Sequence, residues 1–300
     1  MKVKRSARPK HSRHQYDNLA YLFILPNYLV FLVFLLVPIL WTVAMSFTDY
    51  NLLRFQFVGA KNYLALLGDK VFQRALYNTF IYSLATIPVA MVIGLALALA
   101  LNKKCRGKGL FRTLFYMPNV LSVVAISMAW IYMFDTNSGI INRLLELMSL
   151  GKVQWLTNSS YALASVCIVG VWFTCGYDMV LFLSGLQSIP AHLYEAASID
   201  GANVWQKFWN ITLPQLRPTT FFIFVMACIN SFQVFGQVYI LTGGGPSNAT
   251  TTLAHQIYKN GFELYHMGYA SAEAVVLMLL ILAITAVNMA VNKGGEADAE

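Results

Sequence analysis

Apolar residues run in long blocks separated by short polar stretches. Six blocks stand out, roughly 20–47, 77–101, 114–134, 161–186, 219–241 and 269–291. A bilayer hydrocarbon core of about 30 Å needs about 20 apolar residues of helix, and each block is long enough. None alternates strictly between apolar and polar residues as a barrel strand does. The pattern predicts an all-α integral membrane protein of six transmembrane helices, over 20–291, with tails at 1–19 and 292–300. The first block is not read as a cleaved signal peptide. It is too long, it contains Pro26 and Pro38, and no small-x-small cleavage site followed by a soluble domain comes after it.

Composition agrees. Hydrophobic residues make up 58% of the 300 and charged residues 11%, against about 25% charged in an ordinary soluble domain. That little charge cannot cover a soluble surface, and so apolar a chain is not disordered. The net charge of +8 raises nucleic acid as a partner, but no base-stacking or groove-reading module accompanies it. Placement gives the charge its meaning. Of 21 Lys and Arg, 14 fall on one side: the tail (Lys2, Lys4, Arg5, Arg8, Lys10, Arg13), the second–third connection (Lys103, Lys104, Arg106, Lys108, Arg112), Lys207, Arg217 and Lys293. The opposite side holds 7. The positive-inside rule places both termini in the cytoplasm, with the basic tail near anionic lipid.

Local punctuation adds detail. The connection 48–76 reads as partly helical. Pro38 and Pro88 lie inside spans and are expected to kink them or free a carbonyl. Gly243-Gly244-Gly245-Pro246 reads as a helix stop with a tight turn. Cys105 falls in an inner connection and Cys167, Cys175 and Cys228 fall in spans, so no disulfide framework or zinc spacing is expected. Glu273 lies near the outer start of the sixth span, where the helix dipole accounts for an acid.

The connection 187–218 differs from the others. Ser188 and Pro190 read as a helix start, Leu193, Ala196, Ala197 and Ile199 follow at helical spacing, and Gly201 suits a helix terminus. A second helix is expected over 203–211, ended by Pro214. The two make a helix–turn–helix whose small residues permit close approach by a partner. Glu195-Ala196-Ala197, then Gly201, then Ile211-Thr212-Leu213-Pro214, resembles the EAA loop of permease subunits of binding-protein-dependent ABC importers. Ser46-Phe47-Thr48-Asp49-Tyr50, Phe57-Val58-Gly59, Asn62-Tyr63, Asn78-Thr79, Phe115-Tyr116-Met117-Pro118 and Leu241-Thr242-Gly243-Gly244-Gly245-Pro246 are similar to the maltose-type sugar permeases, F-type member. The maltose permease's extra N-terminal helices and large external domain are absent here.

The resemblance implies a type I importer fold with both termini cytoplasmic. It implies a second permease subunit, two ATPase subunits and an extracytoplasmic binding protein, in a bacterial or archaeal plasma membrane. Glu195, Ala196, Ala197, Gly201, Leu213 and Pro214 are then the residues that engage the ATPase. The chain holds no phosphate-binding G-x-x-x-x-G-K-[ST] segment and no zincin or nucleophile-elbow motif. It is therefore expected to be non-catalytic and to bind no cofactor, with ATP and magnesium held by the partner ATPase.

Polar residues inside spans are costly, about 2.5–3.5 kcal/mol for an Asp at the bilayer centre on insertion scales, and so suggest function. Asp178 is the one acid deep in a span, near Thr174 and Tyr177. Asn230, Ser231, Gln233 and Gln237 cluster in the fifth, and Asn119 and Ser122 open the third. Trp172 and Phe235 offer stacking surfaces. The same residue types also serve simply to join helices. Family resemblance puts substrate contacts on these three spans, and a sugar's hydroxyls match these groups. A glycerol 3-phosphate or related polyol permease is the alternative, but a phosphate calls for Arg or Lys deep in a span, and none is seen. An ion-coupled secondary transporter is a more distant one, since it leaves the EAA loop without purpose.

Overall fold

The computed structural model describes residues 23–103 and 107–297, with side chains to residue 290. The expected basic tail, Lys104, Cys105, Arg106 and the tail 292–300 lie outside what is described in full. Among the described residues the regular structure is helical, apart from one isolated antiparallel bridge between Thr48 and Phe57.

Four unbroken helices are long and apolar enough to cross a bilayer. They are α1 (Phe23–Met45), α3 (Lys70–Asn102), α7 (Ser159–Ser188) and α13 (Met267–Ala297). The third and fifth blocks are not single helices, as the pattern alone suggested. The third is α4 (Lys108–Val120) and α5 (Val123–Met133), bent by 99° at Leu121–Ser122. The fifth begins as α10 (Arg217–Phe232), breaks, and resumes as α11 (Gly236–Leu241). Six crossings result if α4 with α5 counts as one, and α10 with the helix Val204–Gln215 that precedes it, bent by 62°, as another.

The remaining helices lie at the two ends. α2 (Lys61–Gly68) fills the helical part of the first outer connection. α6 (Ile140–Leu147) follows α5 after a turn at Asn137-Ser138-Gly139. In that turn Ser138 and Asn137 donate to the Asp135 carboxylate at 2.7–3.0 Å, which holds the carboxyl below its ordinary range. α8 (Ala191–Ile199) and α9 (Val204–Gln215) form the EAA-like loop. α12 (Leu253–Tyr258) leads into α13.

Proline placement departs from expectation. α3 runs unbroken through Pro88 for 33 residues. Pro38 follows a π turn at Leu32–Leu36, and Pro214 follows another at Phe208–Thr212. In the second, Leu213 N donates to Phe208 O. Pro214 then enters the first turn of the resumed helix, where no donor is required. Pro214 therefore does not end α9; the chain bends by 62° into α10 instead.

α3 and α7 pack along most of their lengths and run in the same direction. Tyr82 meets Val166 and Val169 at one end; Ala98 and Leu101 meet Phe182, Leu183 and Leu186 at the other, with Leu216 and Ile223 of the loop and α10. A third cluster joins α2, α3, α10, α12 and α13 through Leu66, Phe72, Phe232, Leu253 and Leu277. α1 is different. Only 6% of its apolar window is buried, and it touches the bundle mainly through α13. Three cysteines, 167, 175 and 228, are buried and free.

Candidate functional site

A cavity of about 330 Å³ opens between α3, α4, α7, α10 and α11, at the lower end of the volume range of small-molecule sites. Its polar lining is Tyr82, Thr86, Asn119, Thr174, Tyr177, Asp178, Asn230, Ser231 and Gln237, and Phe173 and Phe235 supply aromatic surface. No Lys, Arg or His is among the lining residues.

Both broken spans reach it. Asn119 and Val123 flank the α4–α5 bend, and Val234, Phe235 and Gly236 lie at the α10–α11 break. Irregular backbone at membrane depth is tolerated where it lines a cavity. Across the cavity the Tyr82 hydroxyl donates to Gln237 Oε1 at 3.0 Å. Asp178 is 4% exposed and its Oδ2 has no hydrogen-bond partner. It sits where α7 crosses α3 at Gly94; a Cβ there would lie 2.7 Å from the Asp178 Cβ. Asp178 is among the residues that line the cavity, and a carboxylate can accept from a hydroxyl ligand.

Seven of the ten residues expected on a substrate path line this cavity, and three do not. Trp172 is on the other side of α7, in an apolar groove with Val89, Phe115 and Trp130. Ser122 and Gln233 are exposed at the two span breaks. Tyr82 and Thr86 were missed, although Asn78, Thr79, Tyr82, Ser83 and Thr86 form a polar stripe at helical spacing along α3. The upper part of that stripe has another use. Asn78 Nδ2 donates to Asn248 O at 3.0 Å and Thr251 O at 2.9 Å, and Thr79 Oγ1 accepts from Leu253 N at 2.9 Å. These bonds seat the Gly-rich segment 242–252, where Gly243 and Gly244 have positive φ. Glu273 is fully buried, and Asn260 Nδ2 donates to both its carboxylate oxygens at 2.9 Å. A direct partner, not only the helix dipole, thus accounts for it.

At the other end of the bundle, α8 and α9 fold against each other. Gly201, with φ +78°, lets α8 end in a reversal closed by Ala202 N to Ala197 O at 2.8 Å. A capping box of Asn203 and Gln206 starts α9. Tyr194 and Thr212 hydroxyls pair at 2.9 Å, and Lys207 Nζ donates to Ser198 Oγ at 2.7 Å. This leaves Glu195 and Ala196 exposed and Ala197 half-buried. Ile199 is 87% exposed, Val204 82% and Trp205 72%. Such a patch outside the bilayer marks an interaction surface. Leu213 and Pro214 lie at the root of the loop, not at its tip.

Comparison with known proteins agrees with this architecture. Residues 90–294 match the family described as binding-protein-dependent transport system inner membrane component. The trehalose/maltose transport system permease protein MalF of Thermococcus litoralis is 33% identical over 283 residues, covering 94% of this chain and 96% of the relative. The sn-glycerol-3-phosphate transport system permease protein UgpA of Agrobacterium fabrum is 35% identical over 273 residues, covering 89% and 92%. A bacterial alginate ABC transporter, solved in complex with an alginate pentasaccharide-bound periplasmic protein, contains a chain that superposes with TM-score 0.81. It is 25% identical and covers 91% of this chain and 93% of that chain. The chain belongs to the inner-membrane component family of binding-protein-dependent transport systems, with the type I importer fold, and is a transport subunit of an ABC importer.

Proposed function

We propose that the chain forms one half of the translocation pathway for a neutral sugar. The observation that carries this reading is the cavity: hydroxyl, amide and carboxylate groups with aromatic surface, and no cation in its lining. A phosphorylated polyol leaves its phosphate without a partner there, which weighs against the substrate named for the Agrobacterium relative. The names of the Thermococcus and alginate systems support a carbohydrate.

In this reading a second permease subunit completes the pathway in a bacterial or archaeal plasma membrane. An extracytoplasmic binding protein delivers the sugar, and two ATPase subunits bind ATP and magnesium. Glu195 on α8 meets basic groups of the ATPase, while Ala196 and Ala197 allow α8 to enter a cleft. Gly201 sets the reversal, and Leu213 and Pro214 transmit the movement to α10. ATPase closure then rocks the helices as rigid bodies between the two facing states.

The test is uptake by the complex in proteoliposomes with its binding protein and ATP. Labelled mono- and disaccharides are expected to accumulate, and Asp178→Asn should raise the half-saturating sugar concentration about tenfold, the equivalent of about 1.4 kcal/mol. Accumulation of glycerol 3-phosphate that sugars fail to inhibit overturns the proposal.

A further inference from the structure

A second pocket, an open groove of about 440 Å³, lies between α3, the root of α9, α10 and α13. The charge bias puts this end of the bundle in the cytoplasm. Four of its residues carry hydrogen-bonding side chains, Trp209, Arg217, Thr220 and Asn288. No carboxylate is among its lining residues. Among the described residues Arg217 takes part in no salt bridge, and the Asn288 amide nitrogen is buried without a partner. The guanidinium, the indole N–H and the unpartnered amide N–H are donors, and the Thr220 hydroxyl can donate as well as accept, so an anion with several oxygens is a complementary ligand. The rest of the wall is apolar, with Met91 and Phe224 among it, and Trp209 is 58% exposed. An apolar wall beside a cation and an interfacial indole fits an amphiphile better than a free hydrated anion.

We propose that this pocket holds an anionic phospholipid of the inner leaflet, its phosphate on Arg217 and its acyl chain along Met91 and Phe224. The site is separate from the sugar pathway. It borders Leu213 and Pro214, where α9 bends into α10, so the bound lipid braces the joint between the coupling loop and the bundle.

The experiment is thermal unfolding of the detergent-purified complex with added phosphatidylglycerol or phosphatidylcholine. Phosphatidylglycerol is expected to raise the unfolding midpoint by several degrees more than phosphatidylcholine. Arg217→Gln should abolish that difference. Lys108→Gln, a basic residue at the same membrane end but outside the pocket, should keep it. Should Arg217→Gln fail to assemble, Asn288→Leu is the second variant, expected to at least halve the difference. Equal effects of the two lipids, or a full difference in both pocket variants, overturn the proposal. So does the same rise with inorganic phosphate alone, which makes the pocket a soluble-anion site. None of these readouts involves sugar, so failure here and failure of the transport reading are distinct.

Discussion

Asp178 and Trp172 lie within two turns of each other on α7 and face opposite ways, one into the polar cavity and one into an apolar groove. Thr174, Tyr177 and Asp178 share one face of α7 at helical spacing, and Trp172 lies off that face, so the spacing itself separates the two. α3 has a polar stripe as well, and its polar residues do face the interior. At this scale Asn78 offers the sharpest test. It seats two carbonyls of the segment 242–252 from inside α3. Asn78→Leu leaves buried carbonyls unpaired, at about 1–3 kcal/mol each. The complex should then unfold at lower temperature, and limited proteolysis should cut within 242–252 faster than in the parent. Unchanged cleavage means that the segment is held by other contacts.

Among the elements, the EAA-like loop was the most legible in its backbone, because its local signals all agree. Small residues, a glycine reversal and a capping residue each fix one piece of backbone without help from the rest of the chain. Only the end of α9 differs, since a π turn carries the helix past Pro214. The broken spans were not legible. Apolar runs across 114–134 and 219–241 look continuous, and their breaks depend on packing around the cavity. Exposed Glu195 beside Ile199 and Trp205 gives the loop both a charge and an apolar tip. A hydrogen bond to a charged group contributes about 1.5–3 kcal/mol. Glu195→Lys should therefore weaken co-purification of the ATPase at least tenfold, or leave ATP hydrolysis no longer stimulated by sugar and binding protein. Normal assembly with normal uptake removes Glu195 from the coupling role.

For the whole molecule, six blocks were enough to give the class, because hydropathy acts without regard to detailed packing, and the charge bias assigns an orientation to it. The orientation can be checked directly. In a Cys105→Ser background the three described native cysteines are buried. A membrane-impermeant thiol reagent should label Lys152→Cys in intact cells, and Asp200→Cys only in inverted vesicles. The reverse pattern refutes the assignment. The bend at Leu121–Ser122 carries a further consequence. The first N–H groups of a helix have no intrahelical partner, and α5 begins beside the cavity with no side-chain cap. In the proposed reading, part of what a passing sugar meets is therefore main chain. Alanine scanning will under-count the recognition surface, since no substitution deletes a peptide group. In that reading, exchanging the side chains around the cavity is expected to change the cargo, while this backbone portion of the binding surface stays the same.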